Sequence, residues 1–276
     1  MSVDLSVINK KKGPVVFEYD WKDVVLYALG VGATAQELPY VYEGAEGGLQ
    51  VLPSFCMVPA MRGYPPVGDQ VDFSRFLHGE QTFRLYEPLP AQGRVELEGE
   101  VTHIYDKGKA AVYHILVSGK TGEGTHLFDA HWVNFYLGEG GFGGDPGPRS
   151  APLNPPEGKE PDWSFTDKVP ENQAALYRLN GDLNPLHVDP EFARAGGQKR
   201  PILHGLCTYG YAVRALVNEV LEGDVTRFKS FKARFSSVVY PGDTLTTNCW
   251  NTDEGYLVQV ETQRGVVMSN GVAEME

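Results

Sequence analysis

An aspartate and a histidine stand five positions apart, Asp182 and His187, in the stretch Tyr177-Arg178-Leu179-Asn180-Gly181-Asp182-Leu183-Asn184-Pro185-Leu186-His187. A carboxylate next to an imidazole can hold one water between them. The carboxylate orients the water or accepts a proton, and the imidazole does acid–base work near neutral pH. Such a pair alone is weak evidence, because most pairs at this spacing cap a turn or face solvent. Its setting matters more. Residues 170–179 read as a short helix with proline at its start. Gly181 ends it, and Asn184 is pushed into an extended or turn conformation by Pro185. The two side chains therefore sit on one tight loop, not on a helix face.

The elements that must carry this loop can be read on either side. From Gly138 to Pro161 glycines and prolines crowd the chain (Gly138, Gly140, Gly141, Gly143, Gly144, Pro146, Gly147, Pro148, Pro152, Pro155, Pro156, Pro161), which rules out a helix or a central strand. The organisation expected is a first unit over 1–137, a surface linker over 138–161 and a second unit over 162–276. Strand-like runs occur at 82–86, 94–104, 109–118 and 125–136, and again at 227–239, 244–252, 256–264 and 266–273. Turns at Pro90-Ala91-Gln92-Gly93 and Pro241-Gly242-Asp243 support meander order in both units. A helix is predicted over 206–221, with Leu206, Tyr209, Val213, Leu216, Val217, Val220 and Leu221 on one face and Gly223 as its stop. The matching part of the first unit is interrupted by Pro53, Pro59, Gly63, Pro65, Pro66 and Gly68, so no five-turn helix is expected there. The missing helix either leaves room for a bulky ligand or marks an irregular loop.

Composition limits the partners. With 276 residues, 42% hydrophobic and 22% charged, the chain reads as an ordinary soluble protein. No run of eighteen apolar residues suggests a membrane span. The net charge of -12 disfavours nucleic acid, and an anionic ligand would need a local basic patch. Cys56, Cys207 and Cys249 are far apart and without a C-x-x-C, which fits buried free thiols in a reducing compartment. No apolar stretch follows Lys10, Lys11 and Lys12, and the final Ala273-Glu274-Met275-Glu276 is not a peroxisomal address. A cytoplasmic location is expected, with the peroxisome as the alternative for a eukaryotic source. His103, His114, His126 and His131 lie on strand-like runs. With His187 and His204 they lack a helical H-x-x-x-H or a cysteine cluster, so no metal is expected.

The whole string around Asp182 resembles the signature of the type-2, MaoC-like enoyl-CoA hydratases. That signature has an aromatic residue (Tyr177), an aliphatic one (Leu179), a small polar one, then Gly181-Asp182-Leu183-Asn184-Pro185-Leu186-His187 and a small residue six positions on (Ala193). Asn180 departs from it, since serine or threonine is usual there. Further segments agree: Pro201-Ile202-Leu203-His204-Gly205-Leu206-Cys207-Thr208, His78-Gly79-Glu80-Gln81 with Leu85-Tyr86-Glu87-Pro88-Leu89-Pro90, and Gly140-Gly141-Phe142-Gly143-Gly144. The likeness is greatest to the hydratase unit of the peroxisomal multifunctional enzyme of β-oxidation.

The resemblance implies an α+β double hot-dog fold, in which an antiparallel sheet wraps a helix twice in one chain. The first repeat has a degenerate central helix and helps to form an acyl-chain tunnel, and the second carries the catalytic loop. It implies (R)-specific hydration of trans-2-enoyl-CoA to (3R)-3-hydroxyacyl-CoA, with Asp182 and His187 activating a water. No cofactor is implied beyond the coenzyme A of the substrate, and a homodimer is. A backbone N–H at a helix start would steady the thioester oxygen, and Gly205 is placed for that. Asn184 would steady the loop or the water. Implied acyl-CoA contacts are His78, Gly79, Lys107, Leu183, Pro185, Leu186, Gly205 and Phe235, with Lys232 and Arg234 as further candidates for the phosphates. Two other readings remain: a hot-dog thioesterase, whose water would attack the carbonyl carbon, and a non-catalytic acyl-CoA binding module, which would need neither Asp182 nor His187.

Overall fold

The computed structural model describes residues 3–149, 151–253 and 255–276. Ten strands form one continuous antiparallel sheet: β1 (Lys12–Tyr19), β2 (Phe76–Leu85), β3 (Gly93–Asp106), β4 (Ala110–Lys120), β5 (His126–Leu137), β6 (Trp163–Lys168), β7 (Phe228–Phe235), β8 (Thr244–Thr252), β9 (Gly255–Thr262) and β10 (Gly265–Met275). Their order is β1-β3-β4-β5-β2-β7-β10-β9-β8-β6. Read outward from the middle, both halves run in the same sequence of strands. The seam is the pairing of β2 with β7, where Thr82 faces Lys232. Along β4 the period-two pattern is plain: Tyr113, Ile115 and Val117 are fully buried, while His114, Leu116 and Ser118 are partly exposed between them.

Two strands escape the sequence reading. β1 contains Gly13-Pro14 and β6 is short and follows the proline-rich linker. They are the two edges of the sheet, where one row of backbone groups needs no partner strand. The histidines at 103, 114, 126 and 131 lie on β3, β4 and β5.

The helices are α1 (Trp21–Gly30), α2 (Leu38–Val41), α3 (Met57–Gly63), α4 (Gln173–Tyr177), α5 (Pro190–Ala195) and α6 (Gly205–Glu219). The long helix of the second half is α6, and its residues from Leu206 to Val217 are all buried, Arg214 included. Tyr209 anchors it to the sheet by donating its hydroxyl to the Phe231 carbonyl at 2.5 Å. The counterpart in the first half is a 3-10 turn, Pro53–Cys56, followed by the two turns of α3. Pro59 is tolerated because it lies in the first turn of α3, where its missing N–H has no helical acceptor to lose. This segment is packed, with Phe55, Cys56 and Ala60 fully buried.

Helix α1, also not foreseen, has a clear local cause. Asp20 caps the Lys22 N–H while the Asp23 carboxylate accepts the Asp20 N–H. Its C-terminal carbonyls are taken up by the second half. Gln173 Nε2 donates to Leu29 O and Gly30 O, Cys207 Sγ to Gly30 O and Arg214 Nε to Val31 O. Arg214 also pairs with Glu37 at 2.6 Å and with Asp167. Asn218 donates to the same Glu37 oxygen and accepts from Tyr40. This buried network ties the two halves together behind the sheet.

The linker follows β5 and leads into β6. Its glycines fold around one carboxylate: Asp106 accepts the N–H groups of Gly141, Gly143 and Gly144, and that of Gly108 in its own turn. Gly141 and Gly143 adopt φ of 77° and 80°, which a side chain would resist. All three cysteines are free and buried. Among the described residues no helix is long and apolar enough to cross a membrane.

Candidate active site

The loop between α4 and α5 is built by local hydrogen bonds. After α4 a 3-10 turn covers Arg178–Asn180, and Gly181 ends it at φ 121°. Asn180 Nδ2 donates to Tyr177 O at 3.0 Å and so closes that turn with its own side chain. Asn184 stands at φ -54°, ψ 122°, the extended geometry that Pro185 demands. Its side-chain oxygen accepts the Leu186 N–H at 3.0 Å, capping the 3-10 turn Pro185–His187. Asp182 Oδ1 accepts the Asn184 N–H at 3.2 Å. Asn184 thus steadies the loop through both its backbone and its side chain.

This bend brings His187 Nε2 to 4.0 Å from Asp182 Oδ2. That is too long for a direct hydrogen bond and suits a bridging water. His187 Nδ1 lies 2.9 Å from Ile202 O. A carbonyl only accepts, so Nδ1 carries the proton and Nε2 presents its lone pair toward Asp182. Burial lowers the His187 pKa below the usual imidazole value, and the Asp182 charge and the Ile202 bond oppose this only in part. His187 is therefore a neutral base near pH 7.

His204 completes the cluster; from sequence it belongs to the helix-opening segment and to the histidines weighed and set aside as metal ligands, with no role beside Asp182 and His187. Its ring stacks on His187, with centroids 3.6 Å apart and planes 26° from parallel, and Tyr177 lies 4.9 Å away. His204 Nε2–H donates to the Asp182 carbonyl at 3.2 Å. Burial, then the neighbouring His187, pushes the His204 pKa down to about 3. Asp182, His187 and His204 offer ligand atoms within 4.8 Å of one another, the spacing of a metal site. In near-parallel stacked rings, however, the in-plane lone pairs run side by side and do not converge on one ion.

Helix α6 starts at Gly205, directly after His204, and no side chain caps its first turn. Its free N–H groups form a preorganised donor site. Gly205 lies against Phe235, whose ring carbons would be 3.3–3.5 Å from a Cβ there. Phe235 in turn packs edge-on to His78 at 4.8 Å. Gly79 occupies a bulge in β2, and a Cβ there would run into the Phe135 ring at 2.2 Å. Gly205, Phe235, His78 and Gly79 are thus in one contiguous run across the seam. Burial holds the His78 pKa down at about 4.

The other candidates fall partly on the loop and partly away from it. Leu183 and Pro185 are exposed on the loop, and Leu186 is partly buried. Lys107, at the turn between β3 and β4, donates to Pro148 O at 2.7 Å and lies over the Tyr105 ring, beside the linker. Lys232 is 4.0 Å from Glu80, and Arg234 lies over Phe135. Both project from the exposed side of β7, opposite to Phe231 and Ala233. No contact joins either to the loop among the described residues.

Residues 153–273 match the MaoC-like domain, and residues 17–138 match the MFE-2 hydratase 2 N-terminal domain. The chain is 38% identical over 288 residues to a probable enoyl-CoA hydratase 2 of Dictyostelium discoideum, covering 100% of this chain and 98% of that protein. It is 39% identical over 266 residues to the peroxisomal multifunctional enzyme type 2 of Mus musculus, covering 91% of this chain but 36% of that longer protein. A MaoC-like dehydratase structure from Phytophthora capsici superposes with a TM-score of 0.89 at 30% identity, covering 98% of this chain and 96% of that one. The agreement spans both repeats and their order, and the chain belongs to the MaoC-like, type-2 enoyl-CoA hydratase family.

Proposed function

We propose that the chain adds water across the double bond of a trans-2-enoyl-CoA to give (3R)-3-hydroxyacyl-CoA, with Asp182 and His187 holding the water. The observation that carries the roles is the pair itself. A basic imidazole nitrogen and a carboxylate oxygen face each other at 4.0 Å on a loop fixed by its own caps. The water oxygen bonds to C3 as His187 Nε2 takes one of its protons, and Asp182 orients the other. Charge gathers on the thioester oxygen, opposite the uncapped N–H groups at Gly205. His187 then returns the proton to C2 on the same face. The addition consumes one water and leaves no net change in oxidation state, so its balance calls for no redox cofactor.

The acyl chain would run toward the first half, where the Arg62 guanidinium and, beyond it, the Met61 side chain lie against Gly181 in the catalytic loop. A thioether side chain moves easily to admit a chain of varied shape. Coenzyme A would lie along His78, Gly79 and Phe235, with its phosphates toward Lys107. We also propose a homodimer, which light scattering on the purified protein tests.

Incubation with crotonyl-CoA, following loss of enoyl absorbance with chiral analysis of the product, tests the reaction. A (3R)-3-hydroxy product supports it. Release of free thiol without that product would replace it with the thioesterase reading, and binding without turnover with the binding module.

A further inference from the structure

Within that reading, we propose that His204 is a positioning residue for the hydration step, fixing the plane of the His187 ring by stacking and the backbone of Asp182 by its Nε2–H. The site needs such a part. His187 is tied by one ring hydrogen bond, to Ile202 O, which sets its tautomer but leaves the ring free to tilt about that axis. The stack at 3.6 Å removes that freedom. The Asp182 carboxylate is set by the Asn184 N–H, while its carbonyl is set by His204 at 3.2 Å. One side chain therefore touches both members of the pair. It does so from the residue just before Gly205, so the loop and the donor end of α6 are held in one frame.

Two further observations agree. The bond to a carbonyl fixes the Nε2–H tautomer of His204, and this leaves Nδ1 buried with no partner among the described residues. Such an atom calls for an explanation, and a place in the Asp182–His187 cluster supplies one. Two imidazoles in face-to-face contact also cannot both become imidazolium easily. Burial keeps His204 neutral, and His187 alone is left to cycle.

Two substitutions separate the two tasks. His204→Phe keeps a flat ring and removes the donor, and His204→Gln keeps an N–H donor and removes the ring. Each is expected to lower kcat roughly 10–100-fold, as small misplacements of reacting groups do, with KM within about twofold and the melting temperature close to wild type. Wild-type kcat in both variants overturns the proposal. So does a loss that only follows the folded fraction. Nitrogen NMR of the wild-type protein with labelled histidine needs no variant: a His204 that shows the Nδ1–H tautomer, or titrates near 6.5, also overturns it. If the wild type fails to hydrate any enoyl-CoA, the parent reading fails instead, and the NMR result still judges the stack.

Discussion

Gly30 of the first half and Asn180 of the second are fitted to each other so closely that a Cβ on residue 30 would lie 2.8 Å from Asn180 Nδ2. Gly30 closes α1, and Asn180 closes the turn that leads into Asp182. Helix propensity alone would favour alanine at position 30 by about 0.5–1 kcal/mol. The contact predicts the opposite for function. Gly30→Ala should lower kcat about tenfold by pushing the loop, with little change in melting temperature. Adding Asn180→Ser, which clears the space, should restore most of the loss in steady-state assays.

Asp182→Asn and His187→Ala should each reduce hydration of crotonyl-CoA by about 10²–10⁴-fold while circular dichroism stays unchanged. The pH profile gives the sign. Burial holds the His187 pKa below the usual imidazole value, so the acid limb of kcat/KM should lie below the range of a free histidine. The Asp182 charge raises the His187 pKa, so the residual activity of Asp182→Asn should lose its acid limb at a lower pH than wild type. A limb that moves upward contradicts the pairing.

Arg214→Met should destabilise the fold by about 3–5 kcal/mol, because it strands Glu37 and Asp167 at a buried site. Thermal melts should drop by roughly 10 °C. Burial already raises the Asp167 pKa, and Arg214 opposes that rise. Without Arg214 the carboxylates charge less readily, so the deficit should be largest above the ordinary carboxylate pKa and shrink as pH falls toward it. Melts at pH 7.5 and pH 5 check this.

Lys107→Ala should raise KM for enoyl-CoA about fivefold, in line with about 1 kcal/mol for an exposed charge contact, with kcat retained. The effect should fade in high salt. Lys232→Ala, whose ammonium already faces Glu80, should change KM less. Equal effects would place the phosphates elsewhere.

Much of this was legible in the residues. Helix α6 was marked by its apolar stripe and Gly223, and eight strands by β-branched runs between turns. The bend at Asn184 followed from Pro185. Helix α1 was missed although the Asp20–Asp23 box and Val24, Tyr27 and Ala28 at helical spacing were there to be read. β1 and β6 were missed because short edge strands carry weak alternation. His204 was out of reach for a different reason. Its stack on His187 joins residues seventeen positions apart, across α5 and the turn after it, and no local pattern encodes that contact. The same holds for Gly30 and Asn180, which meet only because the two halves dock.

The seam of β2 against β7 makes the chain its own partner, and its two repeats are not equal. After α1, in the place where α4 is followed by the Asp182 loop, residues 31–41 contain neither aspartate nor histidine. Two identical single-repeat subunits would present a pair of equivalent pockets. This polypeptide should saturate at one ligand per molecule in equilibrium dialysis, with a simple hyperbolic isotherm, since its first repeat lacks the loop that builds the site.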